Sequence, residues 1–172
     1  VTKTPKNRTV LIEEFTGTRC GYCPDGHRRA DSIVAAYPDI IYIINVHAGS
    51  FADHYKTNVG SLLNNYFYVS SYPSGILNRE VVKEGETYKY PFNRGAWGYI
   101  AEQIFKEPSY VNIAAKTVID TVTRKLTCEV QAHFTNKSKA ANGKNYIHIA
   151  ILQDNIWGPQ NNGKKILSRK MG

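Results

Sequence analysis

Two cysteines near the start of the chain are spaced for redox chemistry. Cys20 and Cys23 are separated by two residues, which is the spacing of a dithiol that can close as a disulfide. The third cysteine, Cys128, lies on the apolar face of a predicted strand, so we expect a small buried side chain without chemistry. Cys20 is therefore the candidate nucleophile of a thiol–disulfide exchange, and Cys23 is the candidate resolving thiol.

The residues around this pair predict a strand that leads into a helix. The apolar run Val10 to Phe15 has the length of a strand, and a turn follows at Thr16 to Thr18. From Asp25 to Tyr37, apolar residues recur at helical spacing. Pro24 suits the first turn of this helix, where its missing N–H group would have no partner.

Cys20 is thus expected at or beside the N-terminal end of a helix. Free N–H groups and the helix dipole stabilise a thiolate there. Arg19 adds a cation next to it. Both effects would lower the pKa of the Cys20 thiol from its usual value of about 8.5.

A carboxylate is available for proton exchange with the resolving thiol. Glu14 lies six residues before Cys20, near the end of the predicted strand, and could exchange protons with Cys23. Neighbours in a strand face opposite sides. We therefore expect one of Glu13 and Glu14 to point outward, and we assign Glu14 to the inner face.

Further along the chain, the pattern continues as strand, helix and strand. Ile40 to Val46 is an almost continuous apolar run, as in a central strand covered on both sides. A helix is expected at about 57–66, and another strand at Ile76 to Arg79. Tyr72-Pro73 precedes that strand, and a cis bond here would leave the Tyr72 backbone free to pair with an extended thiol substrate.

This order of elements resembles the thioredoxin fold, an α/β fold with a central mixed sheet flanked by helices. In that family, the residues before a cis-proline pack against the active-site disulfide. Ile12-Glu13-Glu14-Phe15-Thr16-Gly17 and Tyr72-Pro73-Ser74-Gly75 more closely resemble the thioredoxin-like outer-membrane lipoproteins of Bacteroidetes, the Omp-twenty-eight-related proteins. The resemblance covers roughly residues 8–106 and, more loosely, 109–160.

The resemblance carries further expectations. It implies export and attachment to the outer membrane through a lipidated cysteine upstream of Val1, and a last helix from Phe92 to Phe105. Tyr22, Arg19 and Pro24 stand where typical thioredoxins have other residues, which affects redox potential and partner choice. A long insert, at about 47–71, could form a lid or a partner-binding surface.

The second half of the chain predicts a different module. We place the boundary at 107–108, with a thioredoxin-like domain over 1–107 and a β-sandwich-like module of immunoglobulin type over 108–172. Strands are expected at Val111 to Val122, Leu126 to Phe134 and Asn145 to Gln153, and a basic edge strand at Lys164 to Lys170. Because an immunoglobulin-like sandwich needs about 100 residues, we expect this module to be incomplete.

Composition and charge narrow the classes of function. Apolar residues make up 42% of the 172 residues, as in a folded globular protein, and no apolar run is long enough to span a membrane. Lys and Arg exceed Asp and Glu by 22 to 14, mostly after residue 108. No zinc finger, RNA-recognition or helix-turn-helix pattern accompanies this charge, so we expect no nucleic-acid partner.

Three classes of function fit these residues. The first is a thiol–disulfide oxidoreductase acting on protein or peptide thiols and disulfides. The second is a surface or envelope protein, acting in binding or adhesion, that keeps a static disulfide on a thioredoxin-like scaffold. The third is a metal site formed by Cys20, Cys23 and His27. The sequence does not decide the redox direction or the oligomeric state.

Two further questions about the candidate site are the role of His27 and whether haem could attach to the cysteine pair. His27 follows Cys23 by four residues on the same helical face and could tune the thiolate, but beside Arg28 and Arg29 we expect it to be exposed. Haem attachment requires a histidine directly after the second cysteine, and Pro24 occupies that position. We therefore expect no cofactor.

Overall fold

The structure is a computed structural model that describes residues 1–84, 87–140, 142–161 and 166–171. The chain divides into two compact units. We call Thr9–Phe105 with Ile151–Gly172 the α/β unit, and Val1–Arg8 with Lys106–Ala150 the hairpin unit. This division differs from the expected boundary at 107–108, because residues from Ile151 onward group with the α/β unit.

The described residues form three α-helices and ten strands, joined in places by 3-10 turns. In chain order the elements are β1 (Val10–Thr16), α1 (Cys23–Ala36), β2 (Ile41–His47), 3-10 turns at Gly49–Phe51 and Asp53–Tyr55, α2 (Asn58–Tyr66), β3 (Ser74–Leu77), β4 (Val82–Glu84), β5 (Thr87–Lys89), β6 (Phe92–Asn93), α3 (Trp97–Phe105), β7 (Val111–Asp120), β8 (Lys125–Phe134), β9 (Ile156–Asn161) and β10 (Ile166–Met171).

The α/β unit is built on a four-stranded mixed sheet with the order β2-β1-β3-β6. β1 runs parallel to β2 and antiparallel to β3, and β6 pairs antiparallel with β3. Because β1 is central, nearly all of its residues are buried. β4 with β5 and β9 with β10 form separate two-stranded pairs.

Two apolar clusters of buried side chains hold the elements of this unit together. One cluster joins Val10 and Ile12 of β1 to Trp97 and Ile104 of α3. The other surrounds Phe15. Trp97 is fully buried, and its ring N–H donates to the carbonyl of Phe92 at 3.1 Å. Truncating such a side chain typically costs about 3–5 kcal/mol, so α3 is firmly anchored.

The last helix is shorter than expected. We expected it from Phe92 to Phe105, but it spans Trp97–Phe105, because Phe92 and Asn93 pair with β3 as β6. The Asn93 side chain accepts a hydrogen bond from the Gly95 N–H group at 2.9 Å, and this turn separates the strand from the helix.

The hairpin unit contains β7 and β8, which pair antiparallel over ten residues each. The amide of Asn112 in β7 is buried and donates to the carbonyls of Thr2 and Thr4 at 2.9 and 2.7 Å. These bonds tie the N-terminal segment to the hairpin. Cys128 in β8 is a free thiol that is half-buried rather than fully buried.

An immunoglobulin-like sandwich is not confirmed, and the strand expected at Asn145 to Gln153 is absent from the described residues, which have no regular structure there. Apolar side chains in that segment, such as Ile147 and Ile149, are exposed. Alternating apolar residues form a strand only where a partner strand supplies hydrogen bonds and a face to pack on. The expected edge strand is present as β10, but Asn162 to Lys165 lie outside the described residues.

Candidate functional site

The cysteine pair stands where β1 gives way to α1. Cys20 and Cys23 are joined by a disulfide, with their Cα atoms 5.4 Å apart. Cys23 is the first residue of α1, and Pro24 lies in its first turn. Cys23 is 0% exposed and Cys20 is 3% exposed. The disulfide is therefore set into the first turn of the helix.

Pro73 and Glu14 approach the same turn. The Tyr72–Pro73 peptide bond is cis. A Cβ atom added to Gly26 would lie 2.7 Å from Pro73 Cγ and 2.8 Å from Glu14 Oε1. Both distances are shorter than packed atoms allow, so only glycine fits here. The helix turn that follows Cys23 is thus held between the proline and the carboxylate.

Glu14 is fully buried beneath this turn. Within the described part of the chain, neither of its carboxylate oxygens has a hydrogen-bond partner. The nearest charge-bearing group is the His27 ring, whose Nδ1 atom lies 3.3 Å from Oε2. That separation is close enough for an ion pair but lacks hydrogen-bond geometry. The carboxyl group is available for chemistry because no hydrogen bond engages it.

His27 is largely buried, contrary to the expectation of an exposed residue. Its side chain is 16% exposed, and its Nε2 atom lies 3.2 Å from Thr16 Oγ1. The ring thus connects Glu14 to Thr16 at the end of β1. The expectation rested on its arginine neighbours, but those arginines lie on the outer face of α1, while His27 faces the sheet.

Glu13 is also buried, so the expectation that one glutamate points outward was wrong. The two side chains do face opposite sides of β1, but both sides are covered. Arg79 binds Glu13 with two hydrogen bonds of 2.9 and 2.7 Å, and its guanidinium also lies 5.7 Å from the centre of the Phe67 ring. The Glu13 carboxylate raises the pKa of Arg79 above its usual value.

Arg19 pairs with a carboxylate in the insert. Its guanidinium lies 3.2 Å from Asp53 Oδ1 and lowers the pKa of Asp53. Its role in lowering the pKa of the Cys20 thiol stays a prediction, since its charge is shared with Asp53.

The insert at 47–71 packs against the loop before the cysteines. The Phe51 carbonyl accepts a hydrogen bond from the Arg19 N–H group at 2.9 Å. The Phe51 ring lies 5.5 Å from the ring of Tyr72, and the Tyr72 hydroxyl donates to the Asn64 side chain in α2. Burial raises the pKa of Tyr72. The insert therefore supports both the cysteine loop and the proline loop.

Gln160 in β9 contacts the cysteine loop and was missed by the sequence analysis. Its amide nitrogen lies 3.3, 3.2 and 3.2 Å from the carbonyls of Gly17, Thr18 and Cys20. An amide carries two hydrogens, so these carbonyls share them. The Asn161 N–H group also donates to Thr18 at 2.7 Å. No local sequence signal marks Gln160, because the loop carbonyls that it contacts are 140 to 143 residues away in the chain.

The arrangement of side chains does not support the alternative of a metal site at Cys20, Cys23 and His27. Among the described residues, no cluster of three or more His, Cys, Asp or Glu side chains could hold a metal ion. Cys20 and Cys23 are bonded to each other, and His27 faces Glu14 and Thr16. In this disulfide form the three residues do not converge on one ion.

No known protein-family profile matches the chain, and no curated protein matches it. Several solved structures are similar to part of it, among them the following three. A malarial protein is 18% identical, with a TM-score of 0.38, over 56% of this chain and 98% of its own. The germline-specific thioredoxin Deadhead of Drosophila melanogaster is 14% identical, with a TM-score of 0.39, over 56% of this chain and 81% of its own. HBP35 of Porphyromonas gingivalis is 22% identical, with a TM-score of 0.46, over 65% of this chain and 38% of its own.

These likenesses are distant, and they establish nothing about activity. The α/β unit has its own thioredoxin-like features: a mixed sheet with helices and a Cys20–Cys23 disulfide at the start of α1. These features fit the thioredoxin-like domain that the sequence predicts. Among the described residues, no helix is both long and apolar enough to cross a membrane.

Proposed function

We propose that this protein is a thiol–disulfide oxidoreductase that uses Cys20 and Cys23. The observation that carries the proposal is the disulfide in the first turn of α1, with Pro73 and the buried Glu14 against the same turn. A helix N-terminus stabilises a thiolate. Together these groups supply a nucleophile, a resolving thiol and a proton acceptor.

The first half-reaction starts from the reduced pair. The Cys20 thiolate attacks one sulfur of a substrate disulfide and forms a mixed disulfide. The substrate S–S bond breaks, and the other substrate sulfur leaves as a thiolate that takes up a proton. The substrate is then covalently bound to Cys20.

The second half-reaction releases the product. The Cys23 thiol gives its proton to Glu14 and attacks the Cys20 sulfur. The mixed disulfide breaks, the second substrate sulfur leaves as a thiolate, and the Cys20–Cys23 disulfide forms. Two electrons have passed to the substrate, and an external dithiol must reduce the pair before the next cycle. The same steps in reverse oxidise a substrate dithiol.

Insulin reduction with dithiothreitol as the electron donor tests the proposal. We expect wild-type protein to accelerate the reaction and Cys20→Ser to abolish that acceleration. Cys23→Ser should trap a mixed disulfide. Cys128→Ser is the matched control, since Cys128 is a free thiol in the hairpin unit, and it should retain full activity. Equal rates with and without wild-type protein would contradict the proposal.

The second candidate is a binding or adhesion protein with a static disulfide. It is favoured by the burial of Cys20, which is only 3% exposed and whose loop is bonded to Gln160. The reduction potential of the pair separates the two candidates. A reduction potential of about −270 mV would fit a reductant, and a potential of about −120 mV would fit an oxidant. A potential below about −300 mV would fit a structural disulfide.

We also propose that the protein is exported and held at the bacterial envelope by a lipid anchor upstream of Val1. The support is the resemblance of its motifs around Glu14 and Pro73 to the Bacteroidetes outer-membrane lipoproteins. Its partners would be protein or peptide thiols and disulfides, without nucleic acid. Fractionation of cells that express the natural gene, followed by detection in the outer-membrane fraction, tests this location. Recovery in the cytosol would overturn it.

A further inference from the structure

A cluster of arginines surrounds Asp25 in the first turn of α1. The Asp25 carboxylate lies 3.2 Å from Arg28 Nη2 and 3.0 Å from Arg29 Nε, and it also pairs with Arg94 from the segment before α3. Hydrogen bonds from Arg94 and Arg29 lower the pKa of Asp25 to about 2. One carboxylate thus faces three guanidinium groups, and two positive charges are left over.

The surplus charge lines an open cleft between α1 and α3. The cleft has a volume of about 430 Å³, and its lining includes Asp25, Arg28, Arg29, Ser32 and Arg94. Among the described residues of this lining, Asp25 is the one acidic side chain. Because Asp25 stays charged, it orients the guanidiniums, and their remaining N–H donors are available to an anion.

The cleft is joined to the disulfide through Tyr22. The Arg94 guanidinium lies 5.6 Å from the centre of the Tyr22 ring. Tyr22 stands between the two cysteines and is 71% exposed. An anionic group held in the cleft would therefore lie beside the redox pair and not on a distant surface.

We infer that this cleft binds carboxylate side chains of the substrate protein that flank its reactive cysteine. The inference rests on the proposed function and names the substrate class, namely proteins with acidic residues next to an accessible disulfide. Arginine forks match carboxylates in shape and charge. An acidic polypeptide suits the cleft better than a small anion because the site is open and each exposed ion pair is weak.

Covalent attachment of the substrate to Cys20 allows weak ion pairs to orient it. In the mixed disulfide the substrate is tethered to Cys20, so its acidic residues meet the arginines at a high effective concentration. Ion pairs that hold a free peptide only weakly then orient the bound chain. The same arginine charges also steer an acidic substrate toward the cysteine pair before it reacts.

Matched peptides test the inference. Each peptide carries one intramolecular disulfide, and the pair differs only in two flanking residues, Glu in one and Gln in the other. For wild-type protein we expect kcat/KM to be about fivefold higher for the acidic peptide, since exposed ion pairs contribute little each. Arg28→Gln with Arg29→Gln should bring the ratio of the two kcat/KM values near one by lowering the value for the acidic peptide.

Three further variants separate the charge of the cleft from other effects of substitution. Ser32→Glu retains all three arginines but adds a carboxylate to the cleft, and it should abolish the preference, whereas Ser32→Gln should keep it. Arg124→Gln with Lys125→Gln removes the same charge from the hairpin unit and should keep the preference too. Equal rates for both peptides in the wild type, or a ratio unchanged by the arginine substitutions, would overturn the inference while leaving the oxidoreductase intact.

A binding measurement separates this inference from the proposed function. If neither peptide is reduced, insulin reduction decides whether the oxidoreductase proposal fails. The cleft is then tested with labelled Cys→Ser forms of the two peptides and oxidised protein, by fluorescence anisotropy. Tighter binding of the acidic form, lost in the arginine variant and in 0.5 M salt, supports the cleft. Equal affinities reject it.

Discussion

Glu14 is in an unfavourable environment for an ionised side chain. It is fully buried, and its carboxylate accepts no hydrogen bond within the described residues. A buried polar group without a partner typically costs about 1–3 kcal/mol. Such a cost is tolerated where the group has a function. Its position beneath the turn that follows Cys23 fits a proton acceptor.

We therefore predict opposite effects on stability and activity for Glu14→Gln. The free energy of unfolding should rise by about 1–2 kcal/mol, because an amide is less costly to bury than a carboxylate. The rate of product release from the mixed disulfide should fall by about a hundredfold, the lower end of the usual effect of losing a general base. Urea unfolding and stopped-flow insulin reduction measure the two. Unchanged release would remove Glu14 from the mechanism.

Glu13→Gln is the matched control at the neighbouring position. It breaks the ion pair between the buried Glu13 carboxylate and the half-buried Arg79 guanidinium. Such losses cost about 3–5 kcal/mol. We expect a marked loss of stability, with the rate of product release unchanged under conditions where the variant is folded.

The sequence predicted part of this residue-scale arrangement. The spacing of Cys20 and Cys23 and the placement of Glu14 and Pro73 followed from local pattern and from the family resemblance. The burial of Glu13 and His27 did not, because burial depends on what covers the second face of β1 and the inner face of α1. Arg79, which covers Glu13, is separated from it by 66 residues.

At the scale of elements, the first turn of α1 is bonded to the segment before α3 through Asp25. The arginine hydrogen bonds lower the pKa of Asp25 from 3.8 to about 2 in the folded protein. A depressed folded pKa means that the group stabilises the folded state above pH 4, and that this contribution is lost as the pH falls toward 2.

We predict that the stability difference between wild type and Asp25→Asn is present at pH 5 and disappears between pH 4 and pH 2. The effect should weaken in 0.5 M salt, because the pairs are exposed and therefore screened. Urea unfolding at several pH values measures it. Asp31→Asn, on the exposed side of the same helix, is the control. A difference that persists at pH 2 would contradict the prediction.

In β9, the Gln160 side chain supports the cysteine loop. Gln160 is buried and lies within hydrogen-bond distance of three loop carbonyls. We predict that Gln160→Ala lowers the free energy of unfolding by about 2–3 kcal/mol, since buried acceptors lose their donor. Gln153→Ala, at an exposed position, should change it by less than about 0.5 kcal/mol. Equal effects of the two substitutions would contradict the role given to Gln160.

Element positions in the α/β unit were predictable because their signals are local. The apolar runs at Val10 and Ile40, and the helical spacing after Pro24, fix β1, β2 and α1 within one or two residues. The docking of β9 and the lack of a strand at 145–153 were not predictable. Both depend on pairing between segments that are distant in the chain. A pattern of alternating apolar residues does not identify the segment with which a strand will pair.

At the scale of the whole molecule, the disulfide belongs to one compact unit. Both tryptophans, Trp97 and Trp157, lie in the α/β unit with it. Tryptophan fluorescence therefore reports the unfolding of this unit. Hydrogen exchange of β7 and β8 reports the hairpin unit separately.

We predict that reducing the disulfide lowers the stability of the α/β unit by about 2 kcal/mol, the chain-entropy value for a very short loop. The tryptophan-monitored urea midpoint should fall, while protection of β7 and β8 should not change. The Cys20→Ala and Cys23→Ala double variant is the control and should not respond to reductant. Equal loss of protection in both units would show that they unfold together.

Cys20 and Gln160 are 140 residues apart in the chain. Ribosomes add about 5–20 residues per second, so roughly seven to thirty seconds of synthesis separate the two. During that interval the nascent chain carries its cysteines with the backbone around them uncapped, and any oxidant or foreign thiol that it meets encounters a looser site than that of the mature protein. Completion of the site around the disulfide is therefore a late event in biosynthesis, although its two cysteines are synthesised early.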